Sequence, residues 1–368
     1  MGSGAEFCAT LLATPYSLLP TRYSLVSSMR RWSLLAAMTT VLLSAAAPAL
    51  NDLTSFALMR SDGPTPVLIT VDEAADALQA FDVIFLGEFH DHAGNHLAEM
   101  ALFSALHARA PQLSLSLEQF ERDVQPVLDE YMADKIGEEA LKRSGRAWQN
   151  YAEAYRPLVE FAKENKLPVI AANAPASFVR CVGLDGPEAL SRATPERRGF
   201  AAAELHLDTG LYKDKFIRFL REDPLHGSPD TDKSKGDPTP AEERSFAAQV
   251  TRDDTMAESI FLHLQKNPGR KVVHVTGNFH VEGFLGTAER LAFRAPQLKV
   301  AVVAPIEIEN PRAPSLKVSD AASGNFLVLL RASPKRYVTE AEEKADIERM
   351  RAQFGKMGTA ANRPPCTP

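Results

Sequence analysis

One short stretch of the sequence holds several residues of the types that bind metals or transfer protons: Glu88, His90, Asp91, His92 and His96. Carboxylates and imidazoles in such a cluster suit acid–base chemistry or metal ligation. Residues 83–86 before them are an unbroken apolar run, typical of a strand buried on both faces, and Gly87 ends it. From Gly94 apolar residues recur at helical spacing. The order is therefore strand, polar loop and helix, and ligands of open α/β sheets bind just outside the carboxyl ends of the strands.

Three further predicted strands also end in polar residues. Residues 113–118 alternate Leu and Ser as a half-buried strand does, residues 168–172 are apolar, and residues 271–277 read KVVHVTG. The residues at or just after the four strand ends are Glu88, His90, Glu118, Asn173, Asn278 and His280. In a parallel sheet these ends share one rim, so we predict that Glu88, His90, Glu118 and His280 meet in one pocket. The alternative is four unrelated loops with ordinary surface polar residues.

The candidate residues differ in the chemistry they suggest. Glu88 and Glu118 could act as paired carboxylates in acid–base work or ligate a hard metal, or each could accept backbone N–H bonds at a helix start. His90 is the strongest candidate for a ligand or base. His92 and His96 read equally well as loop or helix-cap residues, and His274, inside an apolar strand, as a core histidine.

Strands that alternate with helices predict an α/β fold, with a mostly parallel β-sheet flanked by helices and a smaller α-helical lobe. We expect strands near residues 67–70, 83–87, 113–118, 168–172, 271–277, 298–304 and 326–330. The lobe, residues 122–165, holds Trp148, Tyr151 and Tyr155, and the two tyrosines share a helix face. A long helix over residues 241–265 carries Asp254 on its apolar stripe, which predicts a buried partner for that carboxylate.

The N-terminal residues read as an export signal. Arg30 and Arg31 follow Met29, and residues 33–47 are apolar and uncharged with small residues at the end. This pattern predicts a secretory signal peptide with translation starting at Met29. We therefore expect an exported, soluble, periplasmic protein without a stable membrane anchor. The net charge of −6 provides no electrostatic footprint for nucleic acid.

The predicted organisation has three parts. Residues 1–49 are leader and signal peptide, residues 50–335 form the α/β domain with its lobe, and residues 336–368 are a C-terminal helix and a disordered tail. A charged loop over residues 223–240 is the predicted mobile segment. Outside the leader the chain has two cysteines, too few for a disulfide framework. We expect a buried thiol at Cys181 and a free thiol at Cys366.

The order and spacing of several motifs resemble the ChaN-like haem-binding uptake proteins of the Tiki superfamily. The motifs are LGEFHD at residues 86–91, SLEQF at 116–120, W-x2-Y-x3-Y-x-P at 148–157, PVIAANAP at 168–175, AQVTRDDTMAESI at 248–260 and GNFHVEGFLGTAERL at 277–291. The resemblance covers most of residues 65–305.

This resemblance implies a haem or related porphyrin near the strand-end pocket, with a homodimer as one arrangement that would hold it. It also implies a tyrosine ligand for the iron, here Tyr151 or Tyr155, with His90 as the second candidate. The other cofactor-binding residues on this interpretation are Glu88, Glu118, Asn278 and His280. A helix beginning after Asn278 would receive the propionates, because free N–H groups at a helix start favour anions.

Other branches of the superfamily, including erythromycin-esterase-like proteins, are hydrolases. They use the GExH histidine and paired glutamates, and some are proposed to depend on a metal. On this alternative Glu88, His90, Glu118 and His280 are catalytic and the cofactor is a divalent metal ion. We favour the haem-binding hypothesis, because the tyrosine-bearing lobe and the helix with AQVTRDDTMA match that branch.

Overall fold

The computed structural model describes residues 40–41, 49–208, 210–222, 236–355 and 364–368. Most of the predicted signal peptide, the start at Met29, most of the predicted mobile loop and residues 356–363 of the predicted disordered tail lie outside the described residues. Within the predicted signal peptide, Thr40–Val41 (β1) pairs antiparallel with Leu316–Lys317 (β9). Every helix in the described ranges is too short or too polar to cross a bilayer.

Eight strands form the main sheet, and seven of them were predicted. The exception is β2, which lies between β3 and β10 and pairs antiparallel with both. The strands are β2 (Phe56–Arg60), β3 (Val67–Ile69), β4 (Val83–Glu88), β5 (Leu113–Glu121), β6 (Val169–Asn173), β7 (Lys271–Gly277), β8 (Val300–Ile308) and β10 (Phe326–Arg331).

The strand order is β3-β2-β10-β8-β4-β7-β5-β6. All pairs from β10 to β6 are parallel, so the prediction of a mostly parallel α/β fold is confirmed. The four strands with polar ends, β4, β7, β5 and β6, are consecutive neighbours. Their carboxyl ends therefore form one continuous rim.

Twelve α-helices lie within the described residues. They are α1 (Val71–Leu78), α2 (Ala93–Arg109), α3 (Gln125–Met132), α4 (Glu138–Ser144), α5 (Tyr151–Ala154), α6 (Arg156–Glu164), α7 (Ala176–Asp185), α8 (Pro195–Arg198), α9 (Gly210–Glu222), α10 (Pro240–Lys266), α11 (Thr287–Arg294) and α12 (Glu340–Gly355). The ends of α10 follow local chemistry: Thr239 and Glu242 form a capping box, and Pro240 occupies the first turn, where its missing N–H costs nothing.

The two faces of the sheet are covered by different helices. Leu86, Leu117 and Val275 pack with α1, α2 and the helices of residues 125–164 in one apolar core. Phe85 and Val302, which point to the opposite face, pack with α10 and α11 in a second core. The predicted helical segment at residues 122–165 thus contains α3–α6, whose buried side chains belong to the first core. The domain boundaries stay a prediction.

Three expectations from the sequence are corrected. Strand β5 is buried on both faces rather than half-buried, because α10 covers Ser114 and Ser116, which hydrogen-bond to His263 and His274. The helix expected directly after Asn278 is interrupted: two three-residue 3-10 helices, Asn278–His280 and Glu282–Phe284, precede α11. Cys181 and Cys366 are not free thiols, since they form a disulfide.

Candidate functional site at the strand-end rim

Glu88, the last residue of β4, is the centre of a buried hydrogen-bond network on the α2 side of the sheet. Its Oε1 accepts bonds from Gln119 Nε2 at 2.6 Å, from the Tyr155 hydroxyl at 2.9 Å and from His90 Nδ1 at 2.7 Å. Three donors on one oxygen repay the cost of removing the carboxylate from water. Its other oxygen, Oε2, has no hydrogen bond within the described residues.

His90 stands where the network opens to solvent, and 41% of its side chain is exposed. Burial by itself would lower the pKa of His90, but the hydrogen bond and negative charge of Glu88 raise it overall, with a further contribution from Glu118. The indole of Trp148 packs edge-on against the imidazole, with ring centres 5.0 Å apart. The bond to Glu88 places a proton on Nδ1, so Nε2 is the atom available to a ligand.

Glu118 occupies the opposite face of the sheet, beneath α10. Its Oε2 accepts bonds from the Thr276 hydroxyl at 2.6 Å and the Gly277 amide at 2.8 Å. Burial would raise the pKa of Glu118, but the charges of His280 and His90 and these two bonds lower it to about 2. Glu118 is therefore an anion at any physiological pH.

His280 is held from both sides of its ring. Nδ1 donates to Asp253 at 2.7 Å, and Nε2 lies 3.5 Å from Glu118. Burial would lower the pKa of His280, but the charges of Asp253 and Glu118 raise it overall. Asp253 also accepts bonds from the hydroxyls of Tyr212 and Thr287, so it is fixed in place by α9 and α11.

Gly277 lies between the Glu88–His90 pair and the Glu118–His280 pair. A Cβ there would lie 2.9 Å from Cε1 and Nε2 of His90 and 3.7 Å from Oε2 of Glu118. The missing side chain lets His90 approach the backbone of β7, close to the carboxylate of Glu118. The structure thus places Glu88 and His90 on the α2 side of the sheet and Glu118 and His280 on the α10 side, and the two pairs adjoin at Gly277. Of the four, only His90 lines the cavity described below, and a pocket shared by all four stays a prediction.

Two residues of α2 extend the network around Glu88, and the sequence had not indicated their partners. His96 Nδ1 lies 3.0 Å from Glu99 Oε2 and 3.4 Å from Glu88 Oε2. Burial would lower the pKa of His96, but the two carboxylates raise it to about 9; burial and the charge of Glu88 raise the pKa of Glu99 to about 7. His92, in contrast, is the N-cap of α2.

Tyr151 and Tyr155 are both buried behind His90. Tyr155 donates its hydroxyl to Glu88, and the hydroxyl of Tyr151 has no partner among the described residues. Burial raises the pKa of both phenols well above the usual range, and for Tyr155 the charge of Glu88 raises it further. Neither hydroxyl is open to a ligand from solvent in this conformation.

The two asparagines at the strand ends do not join the cluster through hydrogen bonds. Asn173 accepts a bond from the next backbone amide, that of Ala174. Asn278 is buried, and its Oδ1 has no hydrogen bond in the described part of the chain. Because a three-residue 3-10 helix follows Asn278, it does not begin the helix that the sequence suggested as an anion site.

A cavity of about 350 Å³ lies beside His90, between the start of α2 and the start of α6. Its apolar lining is supplied by Ala93, Leu97, Met100, Ala154 and Pro157. Leu97 is 48% exposed. The polar lining residues are Thr54, His90, Asp91, His96, Asn150 and Glu153. An exposed apolar wall with a few convergent polar groups is typical of a ligand pocket.

Two other interpretations of single residues are decided by the contacts. Asp254 is fully buried and accepts bonds from the backbone amide and ring of His206 and from Arg294, so the prediction that it is paired is confirmed. His274 is a buried core residue that hydrogen-bonds Ser116, and burial lowers its pKa to about 3. Asp253, the neighbour of Asp254, is the one that belongs to the site.

The fold and this rim define a class of α/β protein that takes its ligand at the carboxyl ends of parallel strands. A family model described as haem-binding uptake, Tiki superfamily, ChaN matches residues 74–291. The chain belongs to this family, as its motifs indicated.

Individual relatives are distant. The protein RETICULATA-RELATED 5, chloroplastic, of Arabidopsis thaliana is 31% identical over 198 residues, and the match covers 52% of this chain but only 26% of that protein. A structure described as cofacial heme binding to ChaN of Campylobacter jejuni has a TM-score of 0.54 at 16% identity, over 75% of this chain and 97% of that chain. An erythromycin esterase mutant in its open conformation has a TM-score of 0.43 at 12% identity, over 77% and 99% of the two chains.

Proposed function

We propose that this protein binds haem in the cavity beside His90 and serves haem or iron uptake outside the cytoplasm. The observation that carries the proposal is the half-exposed imidazole of His90 at the edge of an apolar cavity, with Nδ1 held by a buried carboxylate. A histidine that ligates a metal commonly donates its other N–H to such a group. Membership of a family described as haem-binding uptake supports the same ligand.

The residues around the cavity suit a porphyrin. Leu97, Met100 and Pro157 offer an apolar surface to the macrocycle, and burying that surface on both partners is the main driving force for binding. His90 would hold the iron through its imidazole, and Glu88 would keep that imidazole oriented. Bound haem would supply ligand-exchange or electron-transfer chemistry at the iron. Exposed Leu97 also makes this face a suitable contact for a second copy of the chain.

Our proposal reverses the order of iron ligands that the sequence suggested. Tyr155 is buried and donates its hydroxyl to Glu88, so a phenolate at Tyr155 would lie beside the negatively charged carboxylate of Glu88 and be disfavoured. Tyr151 is buried as well, and its pKa is raised by burial. We therefore place His90 first and the two tyrosines second in this proposal.

Export is part of the proposal and has two supports. Residues 33–47 carry the pattern of a signal peptide, and Cys181 is joined to Cys366 by a disulfide, which persists in oxidising compartments. Residues 1–49 would be absent from the mature chain. N-terminal sequencing of the secreted fraction should begin near residue 50, and a thiol assay in denaturant should detect no free thiol.

A haem titration followed by Soret absorbance tests the proposal. Wild type should show a saturable Soret shift, and His90→Ala should weaken binding at least about tenfold, a loss of roughly 1.4 kcal/mol. His107→Ala is the matched control, because His107 lies on α2, which follows the loop of His90, and does not line the cavity. Equal haem affinity of His90→Ala and wild type, with the shift lost in Tyr151→Phe or Tyr155→Phe, would assign the iron to a tyrosine.

A hydrolase remains the second candidate, because the rim holds two histidine–carboxylate pairs, His90 with Glu88 and His280 with Asp253. A histidine oriented by a carboxylate can transfer protons. If the protein is a hydrolase, wild type should hydrolyse an ester or a peptide, and Glu118→Gln should abolish this activity. If the protein binds haem and is not a hydrolase, Glu118→Gln should still bind haem, and wild type should hydrolyse neither esters nor peptides.

A further inference from the structure

A second cluster of potential ligands lies beneath His90, on the strand–loop–helix unit of β4 and α2. Glu88 ends the strand, and His96 and Glu99 project from one face of the helix, three residues apart. One ligand atom from each residue can be chosen so that all three lie within 4.8 Å of one another. None of the three is needed as an iron ligand in the proposal above.

Nδ1 of His96 faces two carboxylates. If His96 is neutral, Nδ1 has no N–H to donate to them. Nε2 lies 2.9 Å from the backbone oxygen of His90, which can only accept a bond, so Nε2 carries a proton. In neutral imidazole that leaves a lone pair on Nδ1. This lone pair would point at Glu99 Oε2, 3.0 Å away, and at Glu88 Oε2, 3.4 Å away. The centre therefore needs a further positive charge, either a proton on His96 or Glu99 or a metal ion.

The two carboxylates present their free oxygens to this centre. Glu88 Oε1 is taken by its three donors, and Glu99 Oε1 accepts a bond from Asn95 Nδ2 at 2.8 Å. The oxygens that remain, both Oε2, face His96 Nδ1, and Oε2 of the buried Glu88 has no hydrogen bond in the described residues. Partners at the outer atoms and free atoms inside are the pattern of a metal site with an ordered second shell.

The spacing accommodates a divalent ion, and the charge of the site favours such an ion over a proton. Ligands at about 2.0–2.2 Å from a tetrahedral or octahedral ion lie roughly 3.0–3.5 Å from each other, and the two measured separations are 3.0 and 3.4 Å. A divalent ion neutralises two buried carboxylates, whereas a proton leaves one negative charge without compensation. His96 also lines the cavity beside His90, which provides a route for the ion and an open position for water.

We propose that Glu88, His96 and Glu99 form a binding site for a divalent first-row transition ion of the zinc or manganese class. Two carboxylate oxygens and one imidazole nitrogen suit these ions, and three protein ligands leave a coordination position for water. The site is separate from the iron position at His90 Nε2. Glu88 connects the two, because its Oε1 holds His90 while its Oε2 binds the ion.

The test uses the full chain, stripped with a chelator and free of haem, so that its outcome is independent of the haem proposal. Zn²⁺ and Mn²⁺ are titrated by calorimetry, with Mg²⁺ and Ca²⁺ in parallel. Wild type should bind Zn²⁺ or Mn²⁺ saturably at one site per chain. Glu99→Gln and His96→Gln should each weaken binding at least about 100-fold, since loss of a second-shell partner alone costs 10–100-fold.

Matched controls separate the three ligands from their surroundings. Glu153→Gln removes an exposed carboxylate that lines the same cavity, and His107→Gln removes a histidine farther along the same helix; both should bind as wild type does. The melting temperature of wild type should also rise with excess Zn²⁺ or Mn²⁺, a readout that remains if a ligand variant fails to fold. Absent saturable binding and absent thermal stabilisation in wild type, or unchanged affinity in Glu99→Gln, would overturn the proposal.

Discussion

The two histidines at the rim, His90 and His280, have similar carboxylate support but opposite exposure. His90 donates to Glu88 on the α2 face, and 41% of its side chain meets solvent. His280 donates to Asp253 on the α10 face, and only 9% of its side chain is exposed. Since His280 is also flanked by Glu118, its ring has no free side, whereas the half-exposed imidazole of His90 lines the cavity.

The difference teaches how one rim can combine a ligand position with a structural one. In both residues burial opposes protonation and neighbouring carboxylates favour it, so that the pKa is raised overall. Solvent or a ligand can reach the ring of His90, so the groups in contact with it can change. His280 completes a buried charge network whose disruption leaves uncompensated charge.

The largest effect on stability is expected from Asp253→Asn. This substitution keeps the shape but removes the charge that compensates buried His280, and breaking a buried pair in this way costs about 3–5 kcal/mol. Urea unfolding measures the change. Glu282→Gln is the control, because its ion pair with Lys215 is partly exposed and is worth at most about 1 kcal/mol. An unchanged midpoint for Asp253→Asn would show that His280 is uncharged in the folded protein.

Truncating the two histidines compares the faces directly. His280→Ala should lower the free energy of unfolding by about 2–3 kcal/mol, because Asp253 and Glu118 lose a buried charged partner. His90→Ala should cost less than about 1 kcal/mol, since Glu88 retains Gln119 and Tyr155. The same urea experiment decides it, and equal losses in the two variants would remove the contrast.

A third histidine, His274, tests what burial does when no carboxylate is bonded to the ring. Its pKa is lowered to about 3, while in the unfolded chain it is near 6.5. The unfolded state therefore takes up a proton first, and stability falls as the pH drops from 6.5 towards 3. Between pH 7 and pH 5 this amounts to about 2 kcal/mol. His274→Gln should lose about 2 kcal/mol less than wild type over that range, and parallel pH profiles would contradict the assignment.

A small effect on stability is expected from Gly277→Ala, at the junction of the two faces. The backbone there is compatible with alanine, and the new methyl group would meet the ring of His90 rather than backbone. Since His90 can move into solvent, the cost should be about 1 kcal/mol, while haem affinity falls. Gly137→Ala, where nothing lies within 4 Å of the new Cβ, should change neither quantity. Undiminished haem binding by Gly277→Ala would move the ligand away from His90.

Much of the sheet could be predicted because its signals are local. In β4 (Val83–Glu88), the unbroken apolar run of residues 83–86 indicates burial on both faces, and the polar residue at its end indicates the rim. Strand β2 was missed, because Phe56–Arg60 is short and lacks the alternating period that marks a strand. It is defined by antiparallel pairing with β3 and β10. The helix expected after Asn278 is interrupted at Gly283 and Gly286, where the backbone adopts positive φ.

Within the site, the residues on strand ends were identified, but two helical carboxylates were not. Glu99 and Asp253 lie on α2 and α10, among residues whose pattern indicates only an amphipathic helix. A signal did exist for Glu99, since it follows His96 by three residues on one helix face. For Asp253 the adjacent acidic residue, Asp254, drew attention because of its place on the apolar stripe.

The sequence by itself determined the α/β class, the rim of polar strand ends and the family, because strand period, strand ends and motif spacing are properties of short segments. Only the tertiary structure decided which nitrogen of His90 is free, that Tyr155 donates to Glu88, and that Cys181 pairs with Cys366 across 185 residues. The last two contacts join segments far apart in the chain. They depend on how helices pack on the two faces of the sheet, a non-local result that no local pattern encodes.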